Sequence, residues 1–224
     1  MISIAPHEAY RLWAPTYADE TAISMLENDL ALALSPPLAG KRLLDAGCGT
    51  GRRLTGKQAA LAVGVDICQE MLAAGDARRV AVADVRALPF PSKAFDIVWC
   101  RLVIGHIRDP LPAYRELARV CRIGGRLFLS DFHPDAVAAG HSRSFRDQSG
   151  TLYAVEHHVH SVRSHVATAK QAGFSTKGQR KGHIGRRVRP FYTRAHRDEM
   201  YRKDRGLPVV AAFLFERTAD APAH

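Results

Sequence analysis

Short apolar runs alternate with stretches of helical period through the middle of the chain, the pattern of an α/β fold around a mostly parallel sheet. Arg42–Ala46, Ala62–Asp66, Arg79–Ala83, Phe95–Cys100 and Arg126–Phe132 read as successive strands. Phe95–Cys100 is almost wholly apolar, so it belongs at the sheet centre, buried on both faces. Pro110–Arg122 carries Leu111, Tyr114, Leu117, Ala118 and Cys121 at helical spacing, and Gly124–Gly125 is expected to end that helix. Cys68–Ala74 reads as a short helix. Upstream, residues 8–33 read as a helix interrupted near Pro15, and Ser35–Gly40 breaks the pattern. Downstream, residues 134–157 show no clear period. Val159–Ala172 reads as a helix ending at Gly173, and Leu207–Arg217 as a long terminal strand.

Composition narrows the class. The chain has 224 residues, 46% hydrophobic and 24% charged, which suits one globular domain and excludes a disordered chain. No apolar run approaches the roughly 20 residues needed to cross a bilayer, and MISIAPHEAY lacks the layout of a secretory signal. Cys48, Cys68, Cys100 and Cys121 have no C-x-x-C spacing. Neither a disulfide framework nor a metal site is therefore expected, and the cytoplasm is the expected compartment. The net charge of +10 is concentrated in residues 176–205, which hold eleven Lys/Arg against three acids. Such a segment suits phosphates, nucleic acid or acidic substrates, and equally a solvated surface.

The chemistry-bearing signal is Leu43-Leu44-Asp45-Ala46-Gly47-Cys48-Gly49-Thr50-Gly51, between a strand and the next element. Glycines permit a tight turn and let a ligand lie against bare backbone. The spacing is G-x-G-x-G, not the G-x-G-x-x-G that cradles a pyrophosphate, which disfavours a dinucleotide-dependent dehydrogenase. Asp66 ends the second strand, where a carboxylate can accept hydrogen bonds from both ribose hydroxyls. Asp84 ends the third, where a carboxylate could accept from an adenine amino group. Each acid alone is as often a helix cap or loop residue. The turn and the two acids on successive strand tips together point to a nucleoside-like ligand.

These stretches resemble the class I S-adenosylmethionine-dependent methyltransferases, in the group called methyltransferase type 11. That group includes ubiquinone/menaquinone C-methyltransferases and natural-product methyltransferases. The resemblance rests on LLDAGCGTG (43–51), VGVDICQEML (63–72), ADVRALPFPSKAFDIVWC (83–100) and ELARVCRIGGRLFLSDF (116–132), with YRLWAPTYADE (10–20) similar to the family's lid helix. It implies a Rossmann-like three-layer αβα sandwich with a mostly parallel seven-stranded sheet, the last strand antiparallel, and an N-terminal helical lid. The implied division of a single domain is a lid over 1–40, a cofactor-binding core over 41–132, and an acceptor-side part over 133–224 with the basic insertion 176–205. The implied cofactor is S-adenosyl-L-methionine. By resemblance, Gly47, Gly49 and Gly51 face its methionine part, with Asp45 shaping the turn and Cys48 within it. Asp66 binds the ribose, with Ile67 beside the adenine, and Met71 belongs to the same site. Asp84 and Val85 bind the adenine edge, Arg101 lies near the methionine moiety, and Tyr17, with Trp13, closes over the cofactor. The stretch between Gly51 and Asp66 is short for the family, so a truncated or irregular helix is expected there, and contacts from Arg52 and Arg53 are not carried over.

A sulfonium methyl is already activated, so methyl transfer needs alignment and water exclusion more than a triad. Where a general base is used, His106 and His133, each just after a strand end, are the candidates. Either is equally a capping or packing histidine. His133, His141, His157, His158, His160 and His165 crowd one segment but lack zinc spacing. They are expected to line or roof an acceptor pocket with Phe145, Tyr153, Phe191 and Tyr192. The expected function is methyl transfer to a small-molecule acceptor, an aromatic, quinone-like or natural-product metabolite. The alternative is an RNA or nucleoside methyltransferase using residues 176–205, which would bind with a steep salt dependence.

Overall fold

A computed structural model describes residues 2–17, 20–56 and 58–218. From the N-terminus run β1 (Ile2–Ile4), α1 (Pro6–Trp13), α2 (Ala22–Leu34), β2 (Arg42–Ala46), β3 (Leu61–Asp66), α3 (Gln69–Ala73), β4 (Val80–Val82) and β5 (Phe95–Arg101). There follow α4 (Leu111–Val120), β6 (Cys121–Phe132), α5 (Pro134–Ala138), β7 (Ser144–Arg146) and β8 (Leu152–Val155). The chain closes with α6 (Val162–Gln171), β9 (Phe174–His183), α7 (Arg189–Arg194), α8 (Asp198–Asp204) and β10 (Pro208–Arg217).

Seven strands form one sheet in the order β4-β3-β2-β5-β6-β10-β9. The β2–β3, β2–β5, β3–β4 and β5–β6 pairs are parallel, and β10 is antiparallel to both β6 and β9. The largely apolar β5 is central, as its composition requires. Strand alternation divides the core between the two faces. Val98 and Cys100 of β5, Leu127 and Leu129 of β6, and Ala211, Phe213 and Phe215 of β10 pack with Tyr114 and Leu117 of α4 and Ala169 of α6. Ile97, Trp99, Phe128, Phe132, Val210 and Ala212 face the other way, against Leu26 and Leu30 of α2 and Ile184, Val188 and Tyr201 near the basic segment. Burying each large apolar side chain contributes about 1.5–3 kcal/mol.

Three expectations are corrected. Gly124–Gly125 does not separate helix from strand: β6 starts at Cys121, directly after α4, and both glycines lie within it. The β5–β6 register steps from Phe95↔Cys121 to Ile97↔Arg126, so the glycines sit in a bulge that the ladder tolerates. The segment lacking a period contains α5, β7 and β8. β7 and β8 join β1 in a three-stranded sheet of order β1-β8-β7, so the N-terminal region begins with a strand rather than a helix. Strands of three or four residues are too short for a legible alternation, and β1 finds its partner some 150 residues away, at Ile2↔Tyr153. Finally, the basic segment is not wholly an insertion: its first residues belong to the edge strand β9, and α7 and α8 follow.

Helix α1 ends at Trp13 and a 3-10 turn through Pro15 leads towards α2. Ala18 and Asp19 of the YRLWAPTYADE stretch lie outside the described residues. Helix α2 starts at a reciprocal cap, in which the Thr21 hydroxyl accepts the Ser24 N–H and the Ser24 hydroxyl accepts the Thr21 N–H. No helix forms among the described residues between Gly51 and Leu61, in line with the shortness of that stretch. No helix among the described residues is long and apolar enough to cross a membrane.

Candidate active site

A cavity of about 260 Å³ opens over the carboxyl ends of the parallel strands, where α/β sheets bind ligands. Its floor is the turn after β2. Gly47 has φ +83° and Gly49 φ +58°, backbone states that disfavour any side chain. A Cβ on Gly47 would come within 2.2 Å of Val103 Cγ2, and one on Gly49 within 3.1 Å of Met71 Cε. The Gly47 and Cys48 N–H groups donate to the Val65 carbonyl at 2.8 and 2.9 Å, pinning the turn to β3. Asp66, at the tip of β3, accepts the Gly49 N–H at 2.7 Å on one oxygen and the Cys68 N–H at 2.9 Å on the other. Each oxygen keeps a further acceptor direction. Burial pushes this carboxyl up, while the backbone donors oppose the shift.

Of the cofactor candidates, Tyr17, Gly47, Gly49, Asp66, Ile67, Met71, Asp84, Val85 and Arg101 line the cavity. Asp45, Cys48 and Gly51 do not; Asp45 and Cys48 are buried, at 0% and 2% exposure. Neither Asp45 carboxylate oxygen has a hydrogen-bond partner among the described residues, and burial raises its pKa. Asp84 receives Arg86 through both its backbone N–H and its guanidinium, which holds its carboxyl below the usual range.

Arg101, the last residue of β5, is anchored by α2. Its Nε donates to Glu27 Oε1 at 2.7 Å, and its Nη2 to Glu27 Oε2 at 2.5 Å and Asn28 Oδ1 at 2.7 Å. The Ser130 hydroxyl donates to Glu27 at 2.9 Å, and Arg53 stands 3.5 Å from it. Burial pushes the Glu27 carboxyl up, but the Arg101 and Arg53 charges outweigh burial and leave it below its ordinary value. Arg53 lines the cavity, and its buried Nε has no hydrogen-bond partner among the described residues.

The two histidine candidates separate. His106 lines the cavity, where its Nε2 faces the Tyr10 hydroxyl at 3.0 Å and Arg143 Nη1 at 3.3 Å. Its Nδ1 lies 3.4 Å from the Glu156 carbonyl, an acceptor, so the proton belongs on Nδ1 and the Nε2 lone pair accepts. Burial, then the Arg143 charge, lowers its pKa to about 3, so it is neutral at physiological pH. His133 lies outside the cavity wall. It caps α5, its Nδ1 accepting the Asp135 N–H at 3.1 Å, and the apolar core around it sets that position.

The other side chains expected to line or roof an acceptor pocket, His141, His157, His158, His160, His165, Phe145, Tyr153, Phe191 and Tyr192, do not line this cavity either. His157 and His165 flank the buried Asp131 at 3.5 and 3.2 Å, and the Tyr114 hydroxyl meets His165 at 2.8 Å. His160 meets the Ile107 carbonyl, and His141 pairs with Asp204. Phe145 stacks on Trp13 and on Tyr153, fastening α1 to the small sheet, so Trp13 braces the lid instead of facing the ligand. Phe191 and Tyr192, half-buried on α7 within the basic segment, pack against the core cluster on that side of the sheet. Among the described residues no three His, Cys, Asp or Glu side chains come together as a metal group.

The wall also contains residues that sequence reasoning did not select: Pro6, His7, Tyr10, Arg53, Arg86 and Arg143. Tyr10 lay within a stretch already singled out, and Arg53 just after the glycine turn. Arg143 had no signal, because only the pairing of β7 with β8 brings it to His106.

Residues 44–129 match the family model described as "Methyltransferase domain". The chain is 29% identical over 216 residues to the 27-O-demethylrifamycin SV methyltransferase of Amycolatopsis mediterranei, covering 89% of this chain and 76% of that one. It is 39% identical over 106 residues to the demethylmenaquinone methyltransferase of Mycolicibacterium paratuberculosis, covering 46% and 45%. The solved structure of an S-adenosylmethionine dependent methyltransferase from Mesorhizobium loti has the same fold, with a TM-score of 0.65 at 20% identity over 88% of this chain and 100% of that one. Residues 44–129 thus match a methyltransferase domain, and the chain is similar to S-adenosylmethionine-dependent methyltransferases in sequence and fold. It spans about half the length of most of the curated relatives it matches.

Proposed function

We propose that this chain transfers the methyl group of S-adenosylmethionine to a small-molecule acceptor, an aromatic, quinone-like or natural-product metabolite. The observation that carries the reading is one continuous cavity. It runs from the glycine turn and Asp66 to His106 and Arg143, beneath Tyr10 and Tyr17. The residues suit the cofactor. Asp66 offers two carboxylate oxygens to a ribose, and Gly49 leaves bare backbone below Tyr17. The Arg53 Nε in the cavity wall, unpartnered among the described residues, suits the carboxylate of an amino-acid tail. Ile67, Met71 and Val85 supply apolar walls, with Asp84 at the adenine edge and Arg101 towards the methionine end.

When bound, the cofactor supplies an activated methyl group. The chain's own contribution is alignment: holding two reactants in place can contribute on the order of 7–11 kcal/mol. Tyr10, Tyr17 and α1 exclude water. His106, held at about pKa 3, takes no proton at neutral pH; its Nε2 accepts from Tyr10 and Arg143 and positions them at the cavity wall. The relatives named for rifamycin and demethylmenaquinone methylation support a small-molecule acceptor. The second reading, RNA or nucleoside methylation through residues 176–205, has less support, because none of those residues lines the cavity.

The test is to incubate the pure protein with methyl-labelled S-adenosylmethionine and fractionated extract of its source cells. Label in small molecules is expected. Label in nuclease-sensitive, acid-insoluble material would replace this reading with the second.

A further inference from the structure

Four arginines line the cavity, and three of them have a carboxylate partner. Arg86 pairs with Asp84 at 2.5 Å, Arg101 with Glu27 at 2.5 Å, and Arg53 with Glu27 at 3.5 Å. Arg143 has no acidic partner among the described residues. Its Nη1 donates to the Leu102 carbonyl at 2.9 Å and reaches His106 Nε2 at 3.3 Å, which fixes one corner of the guanidinium. The guanidinium carbon lies 5.7 Å from the Tyr10 ring centroid, so an aromatic face backs the charge. The Nε–Nη2 edge makes no hydrogen bond to the described residues. That edge is a planar fork matched to the two oxygens of a carboxylate.

We propose that Arg143 is the acceptor-recognition residue of this cavity, and that the acceptor carries a carboxylate, which docks on the Arg143 fork beside His106. The proposal rests on the methyltransfer reading and adds the class of acceptor to it. A half-buried cation without a counter-ion in a ligand cavity is costly unless the ligand brings the opposite charge. The neighbours agree: Tyr10, Leu102 and Ile107 offer apolar surface for the rest of an acceptor, and no acidic side chain among the described residues pairs with Arg143. The electropositive corner also explains how a neutral, weakly basic His106 can serve the site. Its Nε2 lone pair accepts from Tyr10 and Arg143 and so holds the guanidinium in place.

The test uses the full chain saturated with S-adenosylhomocysteine, titrated with benzoate and with benzamide and followed by ligand-observed NMR. The two probes share a ring and differ in charge. Benzoate is expected to bind at least about tenfold more tightly, as a charge-assisted pair implies. R143Q should abolish that preference and R143K should keep part of it, whereas R146Q, outside the cavity, should keep all of it. Circular dichroism checks that each variant folds. The proposal is overturned if the wild type binds both probes alike or neither at millimolar concentration, or if both Arg143 variants keep the full preference. It is also overturned if R143Q weakens S-adenosylhomocysteine binding tenfold, which would assign the arginine to the cofactor's own carboxylate. Failure of the wild type to bind S-adenosylhomocysteine would instead sink the methyltransfer reading, and the benzoate preference measured without it would still decide the role of Arg143.

Discussion

Replacing Glu27 by Gln should damage this protein more than any exposed charge removal. Glu27 is 0% exposed and Arg101 5% exposed, so their ion pair is screened by little water. The carboxylate accepts two bonds from Arg101 and one from Ser130, with Arg53 at 3.5 Å. Gln keeps the shape but removes the charge, and Arg101 is left with Asn28 as its neutral partner. Removing one member of a buried pair costs about 3–5 kcal/mol. With the denaturant dependence of a small domain, that would lower the urea midpoint by about 1–2 M. The assay is equilibrium urea unfolding of wild type, E27Q and the double variant E27L/R101M. Because the double variant leaves no stranded guanidinium at position 101, it should lose less than E27Q alone. The carboxyl of Glu27 is held below its ordinary value, so its contribution is present above the unfolded group's titration and is lost as pH falls through the folded value. A loss under about 1 kcal/mol for E27Q, or a double variant worse than E27Q, would refute the claim that this pair clamps the lid helix to the sheet.

Asp66→Asn should weaken S-adenosylhomocysteine binding by about tenfold or more, as loss of charged hydrogen bonds implies, with unchanged circular dichroism; unchanged calorimetric affinity would remove Asp66 from the ribose site. Replacing Arg186, Arg187 and Arg189 together by Gln should leave that affinity within about twofold, since none of the three lines the cavity; a large loss would mean the segment folds over the ligand. His106, with a folded pKa of about 3 against an ordinary 6.5, is protonated more readily when unfolded. Stability should therefore fall as pH drops from about 6.5 towards 3, by at most about 5 kcal/mol and less because the ring borders the open cavity. H106Q should flatten that limb, and an NMR titration midpoint for His106 above about 5 would contradict its burial beside Arg143.

The sequence alone determined the frame and the half of the site that belongs to it. Local order settles a strand, a glycine turn and an acid at the next strand tip, and each is set by residues a few positions apart. That is why β2, β5, Gly47, Gly49, Asp66 and Asp84 were legible. An apolar β5 had one stable place, the middle of a sheet covered on both faces. The other half of the site was decided by tertiary structure. Tyr10, Arg143 and His106 come from three distant stretches, and short β1, β7 and β8 bring them together. Strands of three or four residues carry no readable period. His106 and His133 look alike in sequence, each a histidine just past a strand. Packing alone separates them, placing one in the cavity wall and the other at the N-terminus of α5. Glu27 carries no signal of its own in the sequence, and only the burial of Arg101 beside α2 makes it a partner the fold depends on.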